Sequence, residues 1–163
     1  MTYNKPILPS KFYPGFLDRM PDLDGKTFVI TGTTSGTGKV AAHAIAAKGG
    51  RVFMLNRPSP RSIQAQNAIL SAHPNADVTT IDCDLQQFAS VRSACDALVS
   101  NCTESGIFAL VNNAGIMAMA DEATVDGYDI QMQTNHLSHF LLTRELFPLL
   151  TKAADVHGDS RIV

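Results

Sequence analysis

A doubly wound parallel α/β sheet, cut short at its carboxyl end, is the fold class this sequence predicts. Three observations predict it. Short apolar, β-branched runs alternate with longer helical stretches. The first of these runs passes through a glycine-rich turn straight into an Ala-rich helix. The 163 residues hold five strand-like runs, the last of which stops after Ser160–Val163. Parallel neighbours need a crossover, so strand–helix alternation implies βαβ units. Right-handed crossovers then place a ligand crevice at the carboxyl ends of the strands.

Residues 1–22 stand apart as an N-terminal extension, and 23–163 read as one incomplete domain. The extension carries Pro6, Pro9, Pro14 and Pro21 among Phe12, Tyr13, Phe16 and Leu17. Its aromatic residues are expected to pack on the domain surface. It has no basic segment followed by an apolar run, so it is not a secretory signal. Lys26 to Thr31 (KTFVIT) is the first expected strand, and Gly38 to Lys48 the first helix, closed by Gly49-Gly50. Arg51 to Leu55, Asp77 to Ile81 and Ile107 to Val111 follow as strands. Between them come helices over Ser59 to Ala72 and Phe88 to Ser100. A long helix is expected from about Asp126 to Leu150, with Pro148 as a kink or stop.

Composition narrows the function classes. Hydrophobic residues make up 45% and charged residues 17%, which fits a globular chain rather than a disordered one. The formal charge is −2 and the thirteen basic residues are scattered, so no nucleic-acid or anionic-membrane partner is expected. No run reaches the roughly 18 apolar residues of a membrane span. Cys83, Cys95 and Cys102 form no C-x-x-C motif, which excludes a zinc ribbon and a disulfide framework. They fit a reducing, cytoplasmic setting.

The glycine turn Thr31-Gly32-Thr33-Thr34-Ser35-Gly36-Thr37-Gly38 carries the chemistry. Pyrophosphate needs backbone approach without an intervening Cβ, at a helix N-terminus with free N–H groups. Gly32 suits the tight turn, Gly36 the close approach and Gly38 the helix–strand packing. Thr33, Thr34, Ser35 and Thr37 supply hydroxyls that can donate to phosphate or hold the loop. A triphosphatase phosphate loop would need Gly at 33 and a hydroxyl after Lys39, where Thr33 and Val40 stand. An NAD site would place a carboxylate about 20 positions on. Here Asn56-Arg57 occupies that place. A guanidinium pairs with a 2′-phosphate that a carboxylate would repel, so NADP(H) is the expected cofactor, with NAD(H) second.

The spacing T-G-x-x-x-G-x-G resembles the short-chain dehydrogenase/reductase family, and three further motifs match in order. Asp84-Leu85 closes the third strand. Asn112-Asn113-Ala114-Gly115 follows the fourth. Asn135 lies on the long helix. The stretch from Asp126-Gly127-Tyr128 through Asn135-His136-Leu137-Ser138-His139-Phe140-Leu141-Leu142-Thr143 is similar to the branch holding retinol dehydrogenases, light-dependent protochlorophyllide reductase and the WW-domain oxidoreductase. The resemblance implies a Rossmann-like fold and hydride transfer between nicotinamide and a small carbonyl or alcohol substrate. It implies adenine contact at Asp84 and Leu85, further cofactor contact at Asn113, Ala114 and Gly115, and a catalytic-tetrad role for Asn135. Thr37 departs from the family's apolar residue and is expected to face the helix–sheet junction.

The family's Ser and Tyr-x-x-x-Lys follow its fifth strand, and neither motif is among these 163 residues. Tyr128 has Met132 four positions on, not a lysine. The chain is therefore expected to be a cofactor-binding part that is inactive alone. A non-catalytic NADP(H)-binding or interaction module is the competing reading. His136 and His139, at i and i+3, lack a third ligand, so no metal is expected. The apolar long helix and an open sheet edge are expected to draw copies together as a homo-oligomer.

Overall fold

Strand β1 (Thr27–Thr31) is buried at all five positions, because it lies at the centre of a sheet covered on both faces. Side chains alternate across a strand, and two cores result. Val29, Phe53 and Leu55 point to one face, with Leu98 and Leu142; Phe28, Ile30, Val52 and Met54 point to the other, with Ile45 and Ile69. The coordinates are a computed structural model that describes residues 11–163.

The remaining elements follow the predicted alternation: α2 (Gly36–Ala47), β2 (Arg51–Asn56), α3 (Pro60–Ala72), β3 (Val78–Asp82), α4 (Phe88–Asn101), β4 (Ala109–Val111) and β5 (Arg161–Ile162). All pairings are parallel, in the order β3-β2-β1-β4-β5. The strand order reverses between β1 and β4, which makes their carboxyl ends the switch point of a Rossmann-like sheet. Strand β5 pairs with β4 through Ala109↔Arg161 and Leu110↔Ile162, so β3 and β5 are the edge strands among the described residues.

The long helix differs most from expectation. Residues 122–129 form a strap with an Ala123↔Asp129 bridge, and helix begins only at α5 (Ile130–Met132), where Asp129 caps the Met132 N–H at 2.7 Å. A π-helical turn follows (Gln133–Leu137), then α6 (Ser138–His157), ended by Gly158 in the left-handed region. Pro148 does not stop α6. It lies on the exposed side, and the helix is held beyond it by buried Leu149, Leu150 and Ala153. Gly106 explains how tightly α6 sits: a Cβ there would lie 2.3 Å from the Leu149 carbonyl oxygen.

The N-terminal arm meets expectation only in part, with Tyr13 and Leu17 half-buried. Residues 1–10 of the extension, with Pro6 and Pro9, lie outside the described residues. Helix α1 (Tyr13–Arg19) buries no residue, and Phe12 and Phe16 stay exposed. The chain is instead anchored by Met20 and Leu23, which reach the core beside α2. Among the described residues, no helix is long and apolar enough to cross a membrane. Of the apolar residues on the long helix, Ile130, Leu141, Leu142 and Leu146 are buried, whereas Phe140 and Phe147 face outward.

Candidate cofactor site

The carboxyl ends of β1 to β4 open into a cleft of about 830 Å³. The glycine turn contributes Gly32, Thr34, Ser35 and Thr37; the end of β2, Asn56, Arg57 and Pro58; the end of β3, Asp84 and Leu85; the segment after β4, Asn113, Ala114, Gly115 and Ile116. Four motifs far apart in sequence thus meet at one place. Gly36 and Gly38 belong to the first turn of α2 behind them.

The turn's geometry demands glycine for different reasons at different positions. Gly32 has φ +69°, and a Cβ on it would lie 2.9 Å from the Ala114 Cα. A Cβ on Gly38 would lie 2.4 Å from both the Gly32 carbonyl oxygen and Asn113 Nδ2. Gly36 has φ +58° with nothing within 4 Å, so within the chain itself backbone conformation is what selects glycine there. Ser35, at the N-cap of α2, makes no side-chain cap, so the first-turn amides receive no side-chain acceptor.

The hydroxyls divide their labour. Thr33 is fully buried, and its N–H donates to Asn56 Oδ1 at 2.8 Å while Asn56 Nδ2 donates to Thr33 Oγ1 at 2.8 Å. Asn56 therefore holds the turn rather than reaching outward. Thr37 is exposed and lines the cleft instead of the helix–sheet junction, because the α2 face that meets the sheet starts at Gly38. A hydroxyl costs no packing there. Arg57 is exposed at the cleft mouth, with Arg61 of α3 on the same lining.

At the far side, Asp84 Oδ1 accepts the Gln86 N–H at 2.9 Å, and the Leu85 carbonyl accepts Ser138 Oγ at 2.5 Å. Asn113 Nδ2 donates to the carbonyls of Thr31 and Gly32 at 2.9 and 3.1 Å, tying β4 to the glycine turn. Asn112 points away, donating to Thr143 Oγ1 on α6 at 3.2 Å. Asn135 is exposed, and its amide pairs with both backbone groups of Ile116 at 2.8 Å each. It lies in the π-helical turn, a departure that often marks functional positions. His136 is exposed while His139 is buried, so the pair does not converge; among the described residues no group of three ligand-type side chains is arranged for a metal.

These residues fit a dinucleotide on three observations. The two glycine contacts leave no room for a Cβ where the turn meets Ala114 and Asn113. The helix N-terminus is free of side-chain capping. Thr134 Oγ1, on a residue lining the cleft, is buried without a hydrogen-bond partner. Several contributors were not picked out from sequence. Thr31, Ser138 and His139 bond motif to motif, and the strap residue Asp126 accepts Phe88 N–H at 2.8 Å and Gln133 Nε2 at 2.5 Å. Helical spacing supplies the only sequence signal: Thr134 and Ser138 are i and i+4, as are Asn135 and His139.

Comparison with known proteins bears on the family and the fold. The profile of short chain dehydrogenases matches residues 26–160. An uncharacterized oxidoreductase of Schizosaccharomyces pombe is 38% identical over 146 residues, covering 88% of this chain and 42% of that protein. Retinol dehydrogenase 12 of Bos taurus is 34% identical, covering 91% of this chain and 47% of its own. Among solved structures, an uncharacterized Mycobacterium paratuberculosis protein aligns with TM-score 0.70 at 38% identity, over 81% of this chain and 45% of that one. Pseudomonas aeruginosa RhlG, solved with NADP, aligns with TM-score 0.69 at 30% identity, over 86% of this chain and 54% of that one. The chain spans about half the length of the curated relatives it matches.

Proposed function

This chain belongs to the short-chain dehydrogenase/reductase family, and from that membership and the cleft we propose that it binds NADP(H) as the cofactor part of an oxidoreductase. The observation that carries this reading is the cleft where the α2 N-terminus, Arg57, Asp84-Leu85 and Asn113–Gly115 meet. The first-turn amides of α2 receive the pyrophosphate, with Gly36 allowing close approach. Arg57 pairs with the 2′-phosphate, and its sequence neighbours Asn56 and Pro58 carry no carboxylate to repel that charge. Asp84 and Leu85 flank the adenine, and Asn113, Ala114 and Gly115 hold the other half of the dinucleotide. A nicotinamide held there would supply or accept hydride against a carbonyl or alcohol carbon. RhlG, 30% identical and solved with NADP, supports this reading.

A second reading, a non-catalytic NADP(H)-binding or interaction module, is favoured by one observation. None of Tyr3, Tyr13 and Tyr128 has a lysine four positions on. A tyrosine with pKa near 10 needs a fixed cation to act near neutral pH. Asn135 orders the helix and the Ile116 backbone but moves no proton through its amide. The 163 residues alone therefore bind NADPH without turning it over, and outward Phe140 and Phe147 draw copies together. Calorimetric titration with NADPH, followed by carbonyl-dependent NADPH oxidation, tests both parts. No detectable binding overturns the proposal, and turnover above a blank overturns the inactivity of this polypeptide.

A further inference from the structure

Among the described residues, His139 is the one buried histidine, and it sits behind the cleft rather than in it. Its two ring nitrogens reach different chain segments. Nδ1 lies 3.1 Å from the Asn135 carbonyl oxygen, one turn back across the π-helical segment. Nε2 lies 2.9 Å from Thr31 Oγ1 at the carboxyl end of β1. Thr31 Oγ1 in turn accepts the Ala114 N–H at 2.9 Å.

These contacts fix the tautomer. A carbonyl oxygen can only accept, so Nδ1 carries the proton. Burial disfavours the charged ring, so Nε2 is bare and accepts the Thr31 hydroxyl hydrogen. The alternative acceptor for that hydrogen, the Val111 carbonyl, is farther away at 3.4 Å. The Thr31 lone pairs are then turned towards Ala114. Asn135, the other end of the relay, holds both backbone groups of Ile116. The relay therefore closes a ring from Ala114 through Thr31, His139 and Asn135 to Ile116. The strip Ala114-Gly115-Ile116, which lines the cleft, is held at both ends from this ring.

We propose that His139, as its Nδ1–H tautomer, is a positioning residue that fixes the cleft-lining strip Ala114–Ile116 through Thr31 and Asn135. Its consequence for affinity rests on the NADP(H) reading; the positioning itself does not. The other motifs line the cleft, whereas His139 acts only through its neighbours.

The experiment is amide hydrogen exchange on the 163-residue chain and its His139→Phe variant, which keeps an aromatic ring and removes both bonds. Ala114 should exchange at least about tenfold faster in the variant, while Val29 and Ile30 in β1 keep their protection. NADPH binding should weaken about fivefold or more. Thr31→Val should reproduce the Ala114 effect, with the double variant no worse than either single one. Unchanged exchange at Ala114, or an equal acceleration across β1, would overturn the proposal. If the variant does not fold, nitrogen chemical shifts of wild-type His139 decide: a bare Nε2 and protonated Nδ1 support the relay, and a protonated Nε2 refutes it. Absent NADPH binding by wild type would remove the cofactor reading, while exchange and tautomer still decide the role of His139.

Discussion

Asn56 and Thr33 hold each other twice, through the Thr33 N–H to Asn56 Oδ1 and Asn56 Nδ2 to Thr33 Oγ1, each at 2.8 Å. This pair joins the end of β2 to the glycine turn, so the part that would meet ribose is braced by the part that would meet phosphate.

Replacing Asn56 by Ala leaves the buried Thr33 N–H and hydroxyl unpaired, at a cost of about 1–3 kcal/mol. Asn56→Asp keeps an acceptor for the N–H and lets Thr33 donate its hydroxyl hydrogen, so stability should fall less. Its charge should erode any preference for NADPH over NADH. Urea denaturation and paired titrations check this. Equal stability loss in both variants would contradict it.

Gly38 and Gly36 should separate cleanly. Gly38→Ala places a Cβ 2.4 Å from backbone and from Asn113, so the turn and the β4 segment must part. It should cost about 1–3 kcal/mol or more in stability and most of the NADPH affinity. Gly36→Ala meets no atom within 4 Å but sits at φ +58°, a strain of roughly 1–2 kcal/mol. Thermal unfolding of the two variants checks the order. A larger loss for Gly36→Ala would contradict the role given to Gly38.

The cysteines predict a pH dependence. Burial pushes the Cys83 and Cys95 thiols up to about 12 and that of Cys102 to about 11, from an ordinary 9.0. The unfolded chain releases these protons near pH 9 and the folded chain retains them. Their contribution to stability is therefore complete below pH 9 and is lost as pH rises towards 11 and 12. Each thiol can account for roughly 1 kcal/mol per pH unit within that window. Urea midpoints under reducing conditions at pH 8 and pH 10 should show the fall, and Cys83→Ala should lessen it. Rapid iodoacetamide labelling of native protein at pH 8 would contradict the burial.

The sheet and the cleft were legible because their signals are local. A buried strand such as β1 is apolar throughout, and Gly32, Gly36 and Gly38 occupy spacing that few other structures require. The ends of the long helix were not legible, since Asp129 caps it only after a strap tied by Asp126 to α4. Apolar spacing alone does not register that tie. The exposure of Phe12 and Phe16 was not legible, because aromatic character alone does not say which side chains find cover. His139 was hidden for another reason: its partner Thr31 is 108 positions away in sequence, and Ala114, which Thr31 holds in turn, is 25 positions from His139, so only the sheet brings the three together. Thr37 was misplaced because its neighbour Gly38, not it, makes the junction.

The central claim is a cleft built for NADP(H), with Arg57 reading the 2′-phosphate. Titration of the 163-residue chain and its Arg57→Ala variant with NADPH and NADH tests it most directly. A charge-assisted contact of roughly 1.5–3 kcal/mol corresponds to about one to two decades in affinity. Wild type should therefore bind NADPH about tenfold to a hundredfold more tightly than NADH, and Arg57→Ala should bring the two together by weakening NADPH alone. Equal affinity for both cofactors in wild type, or an unchanged preference in the variant, would contradict the account.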